Sequence, residues 1–506
     1  MSFHSKSLII VFIISALVIF FFRKPFAKQY GAKRVDNWRN LWLSFLVCAY
    51  FIDNYWLFVV LTMSIVFFFA RSEPQKPAIF ALMFASIPTL GASIPGFAGI
   101  NRFIEVNPQL AIAAVVLIPM MLVRKHMTKI ARVGNSTDTI FLLFLILTLS
   151  LSIRAPSFTH MLRIIIQDFL TLAPLYYVFS RFPKSFEDIR IISAAFILPA
   201  LVLSVITILE MVLNQHYYTT ISSNWFGSLP FSFSYRSGFL RGYASALNPI
   251  TWGFIAMCAI GVGFATLNDH VSKLHRLAAF TVLTGGLIAC LSRGPWVGAI
   301  AVFMVYLLIS PNAGKRITQA VVTGGIVVLL SLLTPFGNTV IDLMPVVGTQ
   351  ESGTIDYRQD LLSAAWVVML ENPLFGSSDF LEHSGLESMR QGQGIIDIVN
   401  TYLQVGLKSG LVGVSLFTML FLSTLLSLRG AMKSAIQYNP MLAQYCRAYF
   451  ATLVGVMLTI FTTSSVGQIP ILYWMLIAIG VALSRVERVE REKFYAETTT
   501  ATHQVV

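Results

Sequence analysis

The feature that most constrains this chain is a succession of fifteen apolar runs, at about 7–22, 41–52, 56–70, 78–94, 109–124, 138–153, 161–180, 190–213, 247–267, 277–291, 295–310, 318–334, 409–428, 448–464 and 470–484. Runs of roughly 12 to 25 residues approach or match the ~20 that a helix needs to cross a ~30 Å hydrocarbon core. Together they use up most of the 506 residues, which excludes a soluble enzyme on one anchor. Inside lipid the backbone must satisfy its own hydrogen bonds, and the runs are continuous rather than alternating, so helices are favoured over a barrel. Composition agrees, with 12% charged residues where a soluble domain carries about 25%. The expectation is an all-α polytopic membrane protein of about 14–15 transmembrane helices.

The four cysteines, Cys48, Cys258, Cys290 and Cys446, lie in or beside apolar runs, so neither a disulfide framework nor a thiolate metal site is expected. Most basic residues follow the first run, Leu8 to Phe22, and no small-residue cleavage site ends it, so it reads as a retained span rather than a signal peptide.

Lys and Arg number 36 against 23 Asp and Glu. In a soluble protein that excess would suggest nucleic acid; here it suggests cytoplasmic loops, and no nucleic acid partner is expected. The segment Arg23 to Arg39 holds six basic residues and only Asp36, which places it inside. Alternation from that anchor puts Arg71/Lys76, Arg124/Lys125/Lys129/Arg132, Arg181/Lys184, Lys273/Arg276, Lys315/Arg316, Arg429/Lys433 and the Arg485–Lys493 tail inside as well. At 41–70, Asp53 and Asn54 interrupt the run, so this stretch is either a tight hairpin or a break in the alternation.

The other side differs in chemistry. The loop 335–397 has nine acidic and two basic residues, a net of −7, with three prolines and an amphipathic stretch around Leu361–Leu370 that predicts a folded cap with a short helix. A second outer loop, from about Gln215 to Leu247, is aromatic and weakly charged, a composition that rests on the membrane interface. The chain divides into N-terminal helices (1–234), a core with the large loop (235–430), and C-terminal helices with a cytoplasmic tail (431–506).

Arg102, Arg154, Arg236, Arg241, Arg293, Arg358 and Arg390 fall outside, against the charge bias, while the only lysines there are Lys6 and Lys408. A guanidinium pairs bidentately with phosphate where an ammonium is a point charge, so a diphosphate at the membrane surface is a natural partner. Pairing with the acidic loop and snorkelling to headgroups are the plain alternatives. Arg293 stands apart because Ser292-Arg293-Gly294-Pro295 is a minimal turn between two spans, and a charge so near lipid is costly unless used. Asp168 with Arg163, and Glu210, are further polar groups near outer span ends, read first as structural pairs. No P-loop, metal-spaced His/Cys cluster or G-x-S-x-G elbow occurs, so no nucleotide, metal or other cofactor is expected.

Three stretches carry a family likeness. Cys290-Leu-Ser-Arg-Gly-Pro-Trp-Val-Gly298 resembles the S-R-G turn of the O-antigen ligase and O-antigen polymerase family of bacterial envelope glycosyltransferases. Tyr357-Arg358 through Trp366 to Glu371-Asn-Pro-Leu-Phe-Gly376 is similar to the opening of that family's large periplasmic loop. Asp397-Ile-Val-Asn-Thr-Tyr-Leu403, then Gly410-Leu-Val-Gly413, resembles its closing segment. The likeness covers 235–430, including Gly242 to Gly253 with Asn248-Pro249.

The resemblance implies transfer of a glycan from undecaprenyl diphosphate to a sugar hydroxyl on the periplasmic face of the bacterial inner membrane. Such transfer is metal-free and inverting. The acceptor is another lipid-linked glycan or a lipid A core. It carries over Arg293 and Arg358 as diphosphate ligands, with Arg241 and Arg236 in second place. One departure matters: the family pattern has His before Asn, and this chain has Val399, which moves no proton. The base then falls to Asp397, His383, Glu382 or another loop carboxylate, or positioning suffices. If a helix begins at 397, Asp397 and Asn400 share a face and Val399 points away. The departure tilts the reading from ligation onto lipid A core toward polymerisation of O-antigen or exopolysaccharide repeats, with a chain-length regulator as an expected partner. A transporter or flippase and a non-catalytic assembly scaffold are the competing classes. Against a transporter stand the lack of a visible repeat and polar groups gathered at one face rather than at the midplane.

Overall fold

Apolar sequence, asparagine and serine caps, and proline at first turns divide the chain into helices. In order these are α1 (Phe3–Tyr30), α2 (Ala32–Phe51), α3 (Tyr55–Ser72), α4 (Lys76–Met83), α5 (Pro108–Leu122), α6 (Ser136–Leu151), α7 (Phe158–Arg181), α8 (Phe186–Leu213), α9 (Thr219–Phe226), α10 (Pro249–Thr266), α11 (Lys273–Ala289), α12 (Arg293–Leu308) and α13 (Ala313–Leu332). They continue as α14 (Ser352–Glu371), the single turn α15 (Ser384–Glu387), α16 (Thr401–Ala435), α17 (Pro440–Ile460) and α18 (Ile469–His503). The computed structural model describes residues 3–96, 102–123, 133–227, 233–268, 271–332, 352–390 and 396–503. The basic cluster at 124–132 and much of the large loop, Pro335 and Pro345 included, lie outside the described residues.

Nine helices among the described residues are long and apolar enough to cross a membrane, and α5 and α12 are shorter apolar helices. The chain is an all-α polytopic membrane protein. Asn107, Asn248 and Asn439 each cap a helix whose first residue is proline, and each side-chain oxygen accepts from a first-turn N–H. The missing proline N–H is one that the first turn leaves unpaired anyway. At 41–70 the chain turns between α2 and α3, with Asn54 capping α3 by accepting from Leu57 N at 3.0 Å.

The run 78–94 departs from a continuous helical span. Helix α4 stops at Met83, and the chain goes on through an irregular buried stretch to strand β1 (Ala92–Pro95), which pairs antiparallel with β2 (Arg102–Val106). Hydropathy alone does not distinguish a buried irregular segment from a helix. Such a segment is tolerated where protein supplies its partners. Here Gln109 Nε2 donates to Phe84 O and Ile87 O, both at 2.9 Å, and Tyr55 Oη donates to Leu90 O at 3.2 Å.

Helices α8, α10 and α18 form the centre, since about nine-tenths of each apolar window is buried. One end of the bundle is fastened by charge: Arg34 meets Glu73 at 3.1 Å, Gln75 bonds Asp188, and the fully buried Arg485 clamps Asp138 and donates to Ser180 O. The outer loop expected at the interface packs inward over its first part, while Phe226, Phe233, Tyr235 and Phe239 stay exposed. Residues 216–222 are buried, and Trp225 donates to Ile52 O at 2.9 Å. Asp168 pairs with Lys408 at 3.7 Å rather than with Arg163.

The large loop has its own small core, in which Leu361, Ala365, Val368 and Met369 of α14 meet Phe380, Leu386, Ile398, Leu403 and Leu407. It docks on a break in α16 at Gly410, whose φ is 64° and ψ −167°. There Leu411 N and Val412 N, freed from the helix, donate to Pro373 O at 2.8 Å and Leu374 O at 3.2 Å, and Ser377 N donates to Leu407 O at 2.8 Å. A Cβ on Gly410 would sit 2.3 Å from Leu374 carbonyl atoms, and one on Gly376, also at positive φ, 2.4 Å from Leu407 O. Only glycine meets both demands, the left-handed backbone and the contact. Arg154 locks the seam by donating to Gly376 O at 2.6 Å and Lys408 O at 2.9 Å.

Candidate active site

The S-R-G-P turn is built from the carbonyls that end α11. A helix C-terminus leaves four carbonyls without intrahelical partners and carries a partial negative charge. Trp252 Nε1 donates to Gly286 O at 3.0 Å, Trp296 Nε1 to Leu287 O at 2.7 Å, and Gly242 N to Ala289 O at 3.0 Å. Beyond the helix, Arg241 Nε donates to Cys290 O at 3.3 Å and Arg236 Nη1 to Leu291 O at 2.7 Å. Leu291 holds φ at 46°, a left-handed conformation costly for leucine, and these surrounding bonds fix it there. Arg293 then opens α12. Three of the four arginines expected at the diphosphate, Arg236, Arg241 and Arg293, thus meet at one turn.

Arg236 and Arg241 are set by a two-stranded hairpin, β3 (Tyr235–Arg236) with β4 (Phe239–Leu240), turning on Ser237 and Gly238, both at positive φ. Arg241 N closes the hairpin by donating to Ser234 O at 2.9 Å. Burial first, and the like charge of Arg236 second, push the Arg241 pKa down to about 10, so it remains cationic at neutral pH. Two cations held this close in a partly buried site are costly unless a negative group completes them.

Sequence reasoning left Glu210 as a structural group, and the structure gives it a definite task. Its carboxylate is fully buried and accepts from Tyr243 N at 2.9 Å, Ala244 N at 2.8 Å and Tyr217 N at 3.2 Å, with His216 Nδ1 at 3.3 Å. His216 stacks on Tyr243 with ring centres 3.8 Å apart. Glu210 therefore anchors to α8 the strand of chain that leaves Arg241, with Ala244 held at φ 45°.

The polar link between α17 and α18, Thr462-Thr463-Ser464-Ser465, joins the arginine turn to the loop's closing segment. A Cβ on Gly294 would lie 2.9 Å from Thr462 Oγ1, and two residues on, Ser464 Oγ donates to Asp397 Oδ1 at 2.5 Å. Thr401 Oγ1 donates to Thr463 O at 2.9 Å, and Ser465 N to Gln404 Oε1 at 3.4 Å. The only sequence signal for this link was a hydroxyl-rich turn between two apolar runs.

The helix expected from Asp397 starts later. Asn400 is the N-cap of α16, accepting from Leu403 N at 3.1 Å, so Asp397 stands before the helix in an irregular segment and shares no helix face with Asn400. The remaining expected residues are elsewhere. Arg358 is exposed on α14; His383 Nε2 meets Glu371 at 3.0 Å while its Nδ1 accepts from Gly385 N; Glu382 is exposed on the same loop. No hydrogen bond or ion pair joins these three to the turn among the described residues. Nor, among those residues, does any group of three His, Cys, Asp or Glu side chains come together as a metal site.

Chemically, the turn offers forked cations at a helix junction and, across a hydroxyl-bearing strip, a carboxylate. No curated protein matches the chain. The segment 277–418, which contains the arginine turn, α14 with its docking seam, and Asp397, matches the family model described as O-antigen ligase, a match that supports an O-antigen ligase/polymerase assignment.

Proposed function

We propose that this protein transfers a glycan from undecaprenyl diphosphate to a sugar hydroxyl on the periplasmic face of the inner membrane, polymerising O-antigen or exopolysaccharide repeats. The observation that carries the reading is the convergence of Arg236, Arg241 and Arg293 on the turn at 290–293, inside the family segment. The face follows from the alternation of basic loops, which puts Lys315 inside and the turn outside.

In the reaction the acceptor oxygen attacks the anomeric carbon, the carbon–oxygen bond to the diphosphate breaks, and the lipid diphosphate leaves with the electron pair. Charge grows on the leaving phosphate oxygens, where guanidinium forks placed beforehand stabilise it most. Asp397 takes the acceptor proton; it is the candidate base nearest the turn by way of Thr462 and Ser464, and it stands two residues before Val399, which has no proton acceptor. Arg236 and Arg241 hold the turn as well as charge it. Arg358 joins them only if α14 approaches when substrate binds.

Purified protein supplied with a synthetic undecaprenyl-diphosphate oligosaccharide tests this. Release of undecaprenyl diphosphate together with lengthened glycan is expected, without added metal or nucleotide. Movement of intact lipid-linked glycan across vesicles, with no glycan lengthening, would replace the proposal with a flippase.

A further inference from the structure

A large cavity among the described residues lies away from the arginine turn, beside the basic residues Arg23 and Lys24. Between α1, α8 and α11 lies a groove of about 940 Å³, walled by Leu17, Phe21, Val205, Ala278 and Val282. It runs along α1 from Leu17 to Ala27, about 15 Å at the helical rise per residue. Its wall is apolar down to Phe22, and then three cationic or protonatable side chains follow: Arg23, Lys24 and His275. No carboxylate lines it. Asp36, bound to Arg23 through two bonds of 2.7 Å, is the acid nearest by contact. Lys24 is exposed, and His275 lies with its ring centre 5.0 Å from that of Phe21, its Nδ1 2.7 Å from Ser272 Oγ.

We infer that this groove holds one anionic phospholipid, an acyl chain against Phe21 and Val282 and the phosphate on Lys24 and His275, with Arg23 behind them. The lining changes from hydrocarbon to cation along one helix, as a lipid changes from chain to headgroup. A peptide or soluble anion matches only half of it. Apolar wall and basic rim between membrane helices are the chemistry that selects acidic over zwitterionic lipid. The site is independent of glycan transfer, since no residue of the arginine turn lines it.

Native mass spectrometry of the full chain with phosphatidylglycerol and phosphatidylcholine of identical chains reads this directly. One phosphatidylglycerol is expected to stay bound under activation that strips phosphatidylcholine, and Lys24→Gln with His275→Gln is expected to cut that preference about fivefold or more, as loss of one basic contact at a lipid surface does. An Ala278→Phe variant, which fills the wall, is expected to lose the retained lipid altogether. Equal retention of the two lipids, or a preference unchanged in the double variant, would overturn the assignment and leave only annular lipid. Inorganic phosphate that displaces phosphatidylglycerol's preference without any role for the acyl wall would overturn it too.

Discussion

Two parts of the candidate site are held in opposite ways. The arginine turn is set into the buried centre: carbonyls at the end of α11 are tied to α10, α12 and the β3–β4 hairpin, and Glu210 pins the next residues to α8. The large loop is a small body with its own core, fastened to the bundle, among the described residues, through a backbone seam at Gly376 and Gly410, through Arg154 and through the bond from Ser464 to Asp397. The turn is thus rigid by construction, whereas the loop is positioned by docking. A substitution near the turn acts through geometry or buried polar groups, and one in the loop acts by loosening the seam.

The strongest challenge to this contrast is Glu210→Ala. It strips a carboxylate from three buried N–H groups, a loss of roughly 3–5 kcal/mol. Protein abundance in membranes should fall sharply, and normal abundance with normal activity would show that the turn does not depend on this anchor. Gly410→Ala comes next, with about 1–3 kcal/mol of backbone strain and a clash at Leu374. Abundance should stay near normal while the loop becomes more sensitive to limited proteolysis and glycan yield drops. An unchanged digestion pattern would mean that the seam does not position the loop.

How far the sequence carried can be judged from particular stretches. Apolar runs located the helices because lipid forces hydrophobicity and helical backbone to coincide, and the rule failed at 78–94, where Gln109 and Tyr55 satisfy an irregular backbone from elsewhere in the chain. The turn was visible because Ser-Arg-Gly-Pro between two spans is a costly place for a charge. The partners of Glu210 were not visible, since they lie in a loop that folds back onto α8 from residues 243 and 244. A helix beginning at Asp397 was only one option for that segment, and the cap at Asn400 decides the start. The Thr462–Ser465 strip gained meaning only from what it touches.

Smaller effects sharpen the same contrast. Asp397→Asn keeps an acceptor for Ser464 but removes the base, so glycan synthesis should fall by about 10² to 10⁴ at normal abundance. Near-full activity would take Asp397 out of the reaction. His383→Gln, on the exposed part of the loop, should change activity less than about twofold, and a larger loss at normal abundance would bring that loop face into the site.

The most direct measurement is the rate of undecaprenyl diphosphate release by Arg293→Lys protein, purified in amounts equal to the unsubstituted chain. Lysine keeps the charge and loses the fork. If Arg293 stabilises the leaving diphosphate, the rate falls by about 10² to 10³. A rate within a factor of two of the original would show that Arg293 is structural and that the turn is not where the diphosphate is held.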